Sequence, residues 1–112
     1  MPIDARDIPP YLWGDACQGW RLLQSPALAV TEELMPPGTS EALHRHARAS
    51  QLFYVLEGEL RFVIDGAPER AGERQAVYVP AMTPHRVHND GPAPARFLVI
   101  ASPTTAGDRE DL

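Results

Sequence analysis

FYVLEGELRFVIDG, residues 53–66, consists of two short apolar strands meeting at Glu57-Gly58, and Asp65-Gly66 then turns the chain again. A helix is excluded here because a Gly and a Gly-containing turn follow within one stretch of mixed β-branched and aromatic residues. Working outward, twelve prolines and eight glycines leave apolar segments that are short throughout. Strands are expected at Arg21–Leu23, Ala27–Met35, Gln51–Leu56, Glu59–Ile64, Ala76–Val79, His85–Asn89 and Arg96–Ala101. Segments such as RFLVIAS are apolar on both faces, so one face lines a core and the other is covered by a second sheet or a subunit. Short strands without a helix predict an all-β sandwich or barrel. Residues 1–16 are expected to lay an arm or short strand across the wall, and the polar tail 102–112 to fray.

Composition narrows the functions open to this domain. The 112 residues suit one domain, and 44% hydrophobic residues is an ordinary globular fraction. A net charge of −5 with no run of Lys or Arg argues against nucleic acid or an anionic membrane as partner. The single cysteine, Cys17, forms no internal disulfide and reads as a small core residue; the expected compartment is the cytoplasm. The first twenty residues lack the apolar run of a signal peptide, and no stretch is long and apolar enough for a membrane helix. A small-molecule ligand is the expected partner.

All four histidines fall in two clusters, His44 with His46 and His85 with His88. Residues i and i+2 of a strand share a face, so His44 and His46 present two imidazoles to one point, as a first-row divalent metal requires. Gln51 can return a side-chain oxygen to that point, and His85 can close the set from another strand. His88 falls on the opposite face from His85 and reads as a surface or interface residue.

Gly38, His44, His46, Gln51 and Gly58 stand as G-x5-H-x-H-x4-Q-x6-G, which resembles the first cupin motif in every spacing, with Gln51 in place of its Glu. Pro80, His85 and Asn89 resemble the second motif, although Arg74 and Met82 occupy its two glycine positions, so a reshaped turn is expected. The resemblance implies a small jelly-roll barrel of two antiparallel sheets, a double-stranded β-helix, with one divalent metal (Fe, Mn, Ni or Zn) held by His44, His46, Gln51 and His85. A neutral amide in place of a carboxylate leaves a bound cation with its full charge, which lowers affinity and raises Lewis acidity.

Around such a site, Phe53 and Val55 share the Gln51 face and are pocket candidates, and Tyr54 and Leu56 face the other way; ordinary core is the plainer reading of all four. Met82, with Met35, forms either a pocket wall or gap-filling core. Asn89 either orients a ligand or shapes the turn before Asp90-Gly91. Arg48 and Arg86 either attract an anion or stay solvated. Glu32, Glu33 and Tyr78 supply the available acids and bases, and one of the adjacent glutamates must point inward.

Three functions from different classes fit these residues. The first is a metal-dependent enzyme acting on a small organic molecule, an oxygenase or an isomerase or lyase. The second is a non-catalytic binder or sensor of a sugar or carboxylate. A metal-free structural barrel is the third, and the three clustered histidines argue against it. Apolar outward faces on Gln51–Leu56 and Arg96–Ala101 point to a homodimer.

Overall fold

The computed structural model describes residues 1–112. After a single 3-10 turn at Ala5–Asp7 the chain forms eleven strands: β1 Tyr11–Trp13, β2 Cys17–Gln24, β3 Ala29–Met35, β4 His44–His46, β5 Ser50–Glu57, β6 Glu59–Ile64, β7 Ala67–Gly72, β8 Ala76–Val79, β9 His85–His88, β10 Ala95–Ser102 and β11 Arg109–Asp111. They make two antiparallel sheets, one of six strands in the order β1-β2-β3-β10-β5-β8 and one of five in the order β11-β4-β9-β6-β7. The sheets pack face to face as a jelly roll and are not hydrogen-bonded into a closed barrel.

Alternation decides which side chains meet between the sheets. Along β10, Ala95, Phe97, Val99 and Ala101 are buried while their neighbours are only partly so or exposed, and β5 buries Gln51, Phe53 and Val55 in the same way. Phe97 pairs with Val55 and Val99 with Phe53 across the ladder, so these residues face inward together. From the opposite sheet come Leu60, Phe62 and Val87. The ring of Phe62 meets that of Phe53 edge to face, with centroids 5.2 Å apart.

Most expected strands recur with ends moved by a few residues, but two parts of the chain depart from expectation. β7 has no apolar pattern; it forms because its register with β6, from Glu59 opposite Gly72 to Ile64 opposite Ala67, satisfies the backbone of an exposed edge. The C-terminal tail does not fray: β11 pairs with β4, and Asp108 just before it is buried. At the second motif, Arg74 and Met82 both take the left-handed backbone region that favours glycine, with φ of 66° and 64°. Met82 donates its backbone N–H to the His46 carbonyl at 2.7 Å, and Arg74 donates to Val55, so hydrogen bonds hold these two strained residues in place.

Two glycines matter for geometry. Gly58 has a φ of +82° and lies so close to the chain that a Cβ would meet the Pro94 carbonyl oxygen at 2.8 Å. At Gly19, opposite Tyr11 in the β1–β2 register, a Cβ would fall 2.3 Å from the Tyr11 ring. The missing side chain lets Tyr11 lie across β2 and reach the interior of the sandwich.

Candidate functional site

Position in the sheets brings the histidines together. His44 and His46 alternate inward on β4, and His44 is the direct register partner of His85 on β9. Their ring centroids lie 4.3 Å apart, with His46 at 5.1 Å from His44 and 5.8 Å from His85. One nitrogen from each ring falls within 4.8 Å of the others, and all three residues are buried, so the cluster can hold a metal ion.

Each Nδ1 is already engaged. His44 Nδ1 meets the Ala42 carbonyl at 2.8 Å, His85 Nδ1 the Thr83 carbonyl at 2.9 Å, and His46 Nδ1 the Asp108 carboxylate at 2.8 Å. In each ring Nδ1 is therefore the N–H donor, which leaves Nε2 as the lone-pair nitrogen facing its neighbours. Burial pushes the His44 imidazolium down to about 4 and lowers His85 likewise, and neighbouring positive groups act in the same direction, so both rings are neutral near pH 7.

Gln51 projects from β5 of the opposite sheet into the same cavity. Its Oε1 and His85 Nε2 are buried without a hydrogen-bond partner. Native interiors rarely leave such atoms unpaired, and both are ligand atoms by chemistry. A divalent cation between the two sheets fits this donor set.

The cavity measures about 270 Å³ and is lined by Tyr11, Trp13, Thr31, Phe53, Val99 and Thr105 together with Glu33, Glu41, His44, His46, Gln51 and Arg109. Of the two adjacent glutamates, Glu33 points inward, whereas Glu32 pairs with Arg96 at 2.6 Å on the outer face. Glu33 Oε2 accepts the Tyr11 hydroxyl at 3.1 Å. Burial raises the Glu33 carboxyl to about 7 against the opposing pull of Tyr11 and Arg109, and raises Glu41 to about 8, helped by the Glu33 charge. Glu41 Oε1 has no hydrogen-bond partner.

Among the remaining pocket candidates, Phe53 lines the cavity. Val55 lies fully within the hydrophobic core, and Met82 is half exposed at its turn. Asn89 is buried, but its amide serves the backbone: Nδ2 donates to the Met35 and Ala93 carbonyls and Oδ1 accepts from Gly91. Tyr78 and Arg48 are exposed, Arg86 stands outside the cavity lining, and His88 is half-buried away from the cluster. Sequence reading missed Glu41, Arg109 and Asp108. Glu41 stood three residues before a histidine with no pattern to mark its direction, and the other two lie in the segment expected to fray.

A family model described as a cupin domain matches residues 31–101. The chain belongs to the cupin family. Among curated relatives, this cupin is 28% identical over 75 residues to an uncharacterised protein of Methanocaldococcus jannaschii, covering 67% of the chain and 60% of the relative. It is 32% identical over 69 residues to the tetracenomycin polyketide synthase protein TcmJ of Streptomyces glaucescens, covering 62% and 46%. With the oxalate-binding protein of Thermotoga maritima it shares 31% over 68 residues, covering 59% and 54%. The matches thus span roughly half the length of these relatives. In three dimensions it superposes on the polyketide cyclase RemF from Streptomyces resistomycificus with a TM-score of 0.86 at 21% identity, covering 100% of this chain and 84% of that one. Tyr11, Trp13, Thr105, Asp108 and Arg109 all lie outside the matched cupin segment, so the two ends of the chain complete the cavity.

The cavity carboxyls make the stability of the metal-free protein depend on pH. Glu41 is raised from 4.5 to about 8, so the folded state holds its proton more tightly than the unfolded chain does. That contribution is complete below about pH 4.5 and is lost as pH rises through about 8. Glu41→Gln removes this part of the dependence and leaves that of Glu33. Relative to wild type it gains stability over that interval, on the order of 2 kcal/mol once solvent access is discounted, and the gap is flat above it. Urea midpoints across the pH range measure this, and a gap that does not change with pH overturns the assignment.

Proposed function

We propose that this cupin binds one divalent transition metal through His44, His46, His85 and Gln51 and uses it to move a proton on a small organic molecule, as an isomerase or lyase does. The observation that carries this reading is the second set of groups in the same cavity: two half-buried carboxyls, Glu33 and Glu41, beside the imidazoles. When bound, the metal polarises a ligand oxygen as a Lewis acid, more strongly because Gln51 adds no charge. Glu33 is held by the Tyr11 hydroxyl and keeps its second oxygen for the ligand. Glu41, with an oxygen bonded to nothing, is free to give or take a proton, and its raised value near 8 suits that work around neutral pH. Trp13, Phe53 and Val99 supply apolar walls that limit water. An oxygenase needs no such pair of carboxyls.

The test is hydrogen–deuterium exchange, followed by NMR, on a panel of small 2-oxo acids and 1,3-dicarbonyl compounds with metal-loaded protein. Exchange that disappears in Glu41→Gln while the metal stays bound supports the proposal. Substrate-dependent oxygen uptake would place the chemistry with the oxygenases instead.

A second reading, a non-catalytic binder of a carboxylate, is favoured by Arg109, which lines the cavity with His44 and His46 while its Nε donates to Asp111. The similarity to an oxalate-binding protein points the same way. Ligands that raise the melting temperature with neither exchange nor oxygen uptake would select it.

The homodimer belongs to the same proposal. The outer face of the six-stranded sheet carries Leu52 and Tyr78, side by side in the β5–β8 register and 37% and 59% exposed, with Leu98 and Ile100 partly buried on the neighbouring strand. Such a patch suits a second copy. A monodisperse monomer by light scattering at micromolar concentration overturns this.

A further inference from the structure

The donor set of His44, His46, His85 and Gln51 is neutral throughout, so a divalent cation held by it brings its whole charge into a buried site. Buried charge is costly unless an opposite charge lies close. Glu33 and Glu41 hydrogen-bond to none of the three rings: Glu33 is bonded to Tyr11, and one oxygen of Glu41 is bonded to nothing. Asp108 does touch one. Its side chain is fully buried, and Oδ1 accepts the His46 Nδ1–H at 2.8 Å. Oδ2 accepts the backbone N–H groups of Arg48 and Ala49 at 3.0 Å each. No arginine side chain pairs with it; His46 is its only side-chain partner. His44 and His85 rest on neutral carbonyls instead.

We propose that Asp108 is a positioning residue of the metal centre: it fixes His46 and supplies, through that imidazole, the negative charge that Gln51 does not bring. The inference rests on the metal reading above. Its geometry follows from β11, which pairs with β4 so that Arg109 stands opposite His46 and sets Asp108 behind the ring. Carboxylate–imidazole–metal relays of this kind raise the basicity of the ligating nitrogen and fix the ring's orientation. The final strand, outside the matched cupin segment, is then part of the metal centre and not a trailing edge.

The test is Zn²⁺ affinity, by competition with a chromogenic chelator at neutral pH, for wild type, Asp108→Asn, Gln51→Glu and the double variant. Asp108→Asn should weaken binding about 10–100-fold, the range seen when such supporting carboxylates are removed. Gln51→Glu, acting from the opposite sheet, should recover most of that loss in the double variant and gain less in the wild-type background. A merely structural Asp108 would lower the melting temperature of the metal-free protein without rescue by a charge at position 51. Affinity unchanged in Asp108→Asn, or a loss that Gln51→Glu does not repair, overturns the inference while leaving the metal site standing. A wild type that binds no Zn²⁺ overturns both.

Should Asp108→Asn fail to fold, the Zn²⁺-loaded wild type still decides the question. The Nδ1–H proton resonance of His46 should lie downfield of those of His44 and His85, because only His46 donates to a carboxylate. Three resonances at similar positions overturn the proposal.

Discussion

His85→Ala is expected to empty the metal site. Elemental mass spectrometry on untagged protein purified without chelator should find close to one equivalent of a single transition metal in wild type and almost none in the variant. Total binding energies of protein metal sites divided over four ligands imply a loss of roughly two to three orders of magnitude in affinity for one imidazole. His85 is a better choice than His46 for this test. Removing the His46 ring also strands the Asp108 carboxylate, whose only other partners are two backbone N–H groups, and would mix metal loss with a buried unpaired charge. His85 Nε2 has no partner, and its Nδ1 meets a carbonyl, so the deletion acts mainly on the metal. A second readout follows by mass action: metal at a hundred times its dissociation constant should raise wild-type stability by about 2.7 kcal/mol, and His85→Ala should not respond. Equal metal content in the two proteins, or none in wild type after reconstitution, removes the metal from the proposed function and leaves a ligand-binding cavity.

The second large effect lies in the core. Phe62 is fully buried on β6 and bridges the two sheets by its edge-to-face contact with Phe53. Phe62→Ala should cost about 3–5 kcal/mol, from lost burial plus the cavity left behind. Domains of this class have about 5–15 kcal/mol in total, so the variant should be near the limit of folding. Val63, the next residue, is turned to the other face and only partly buried. Val63→Ala should cost less than about 1 kcal/mol. Urea midpoints measure both, and equal losses would contradict the packing of β6.

What was legible in the sequence follows from the period of a strand. His44-x-His46 puts two imidazoles on one face, and the same parity groups Gln51, Phe53 and Val55 on one face of β5, because successive strand residues must point to opposite sides. With the motif spacing, that was enough to reach the fold and the histidine cluster. Parity also required one of Glu32 and Glu33 to point inward, but it could not say which. That choice was made by the register of β3 against β10, which sets Glu33 opposite Phe97 and leaves Glu32 to Arg96 outside.

Parity gives a face and not a depth along it. Val55 shares the face of Gln51 and Phe53 yet sits in the packed core, while Phe53 reaches the cavity. Strands without apolar residues escaped for a related reason. β7 and β11 are held by backbone pairing to a neighbour already in place, and nothing in APERAG or RED marks that neighbour. Asp108 is the clearest case: it meets His46 across 62 residues of sequence, through a pairing of β11 with β4 that only the folded sheet brings about. The chain's local pattern therefore determined a two-sheet sandwich with imidazoles inside. Tertiary register decided which acids stand beside them, because long-range strand pairing is set by the packing of the whole sandwich and is not written in any one segment.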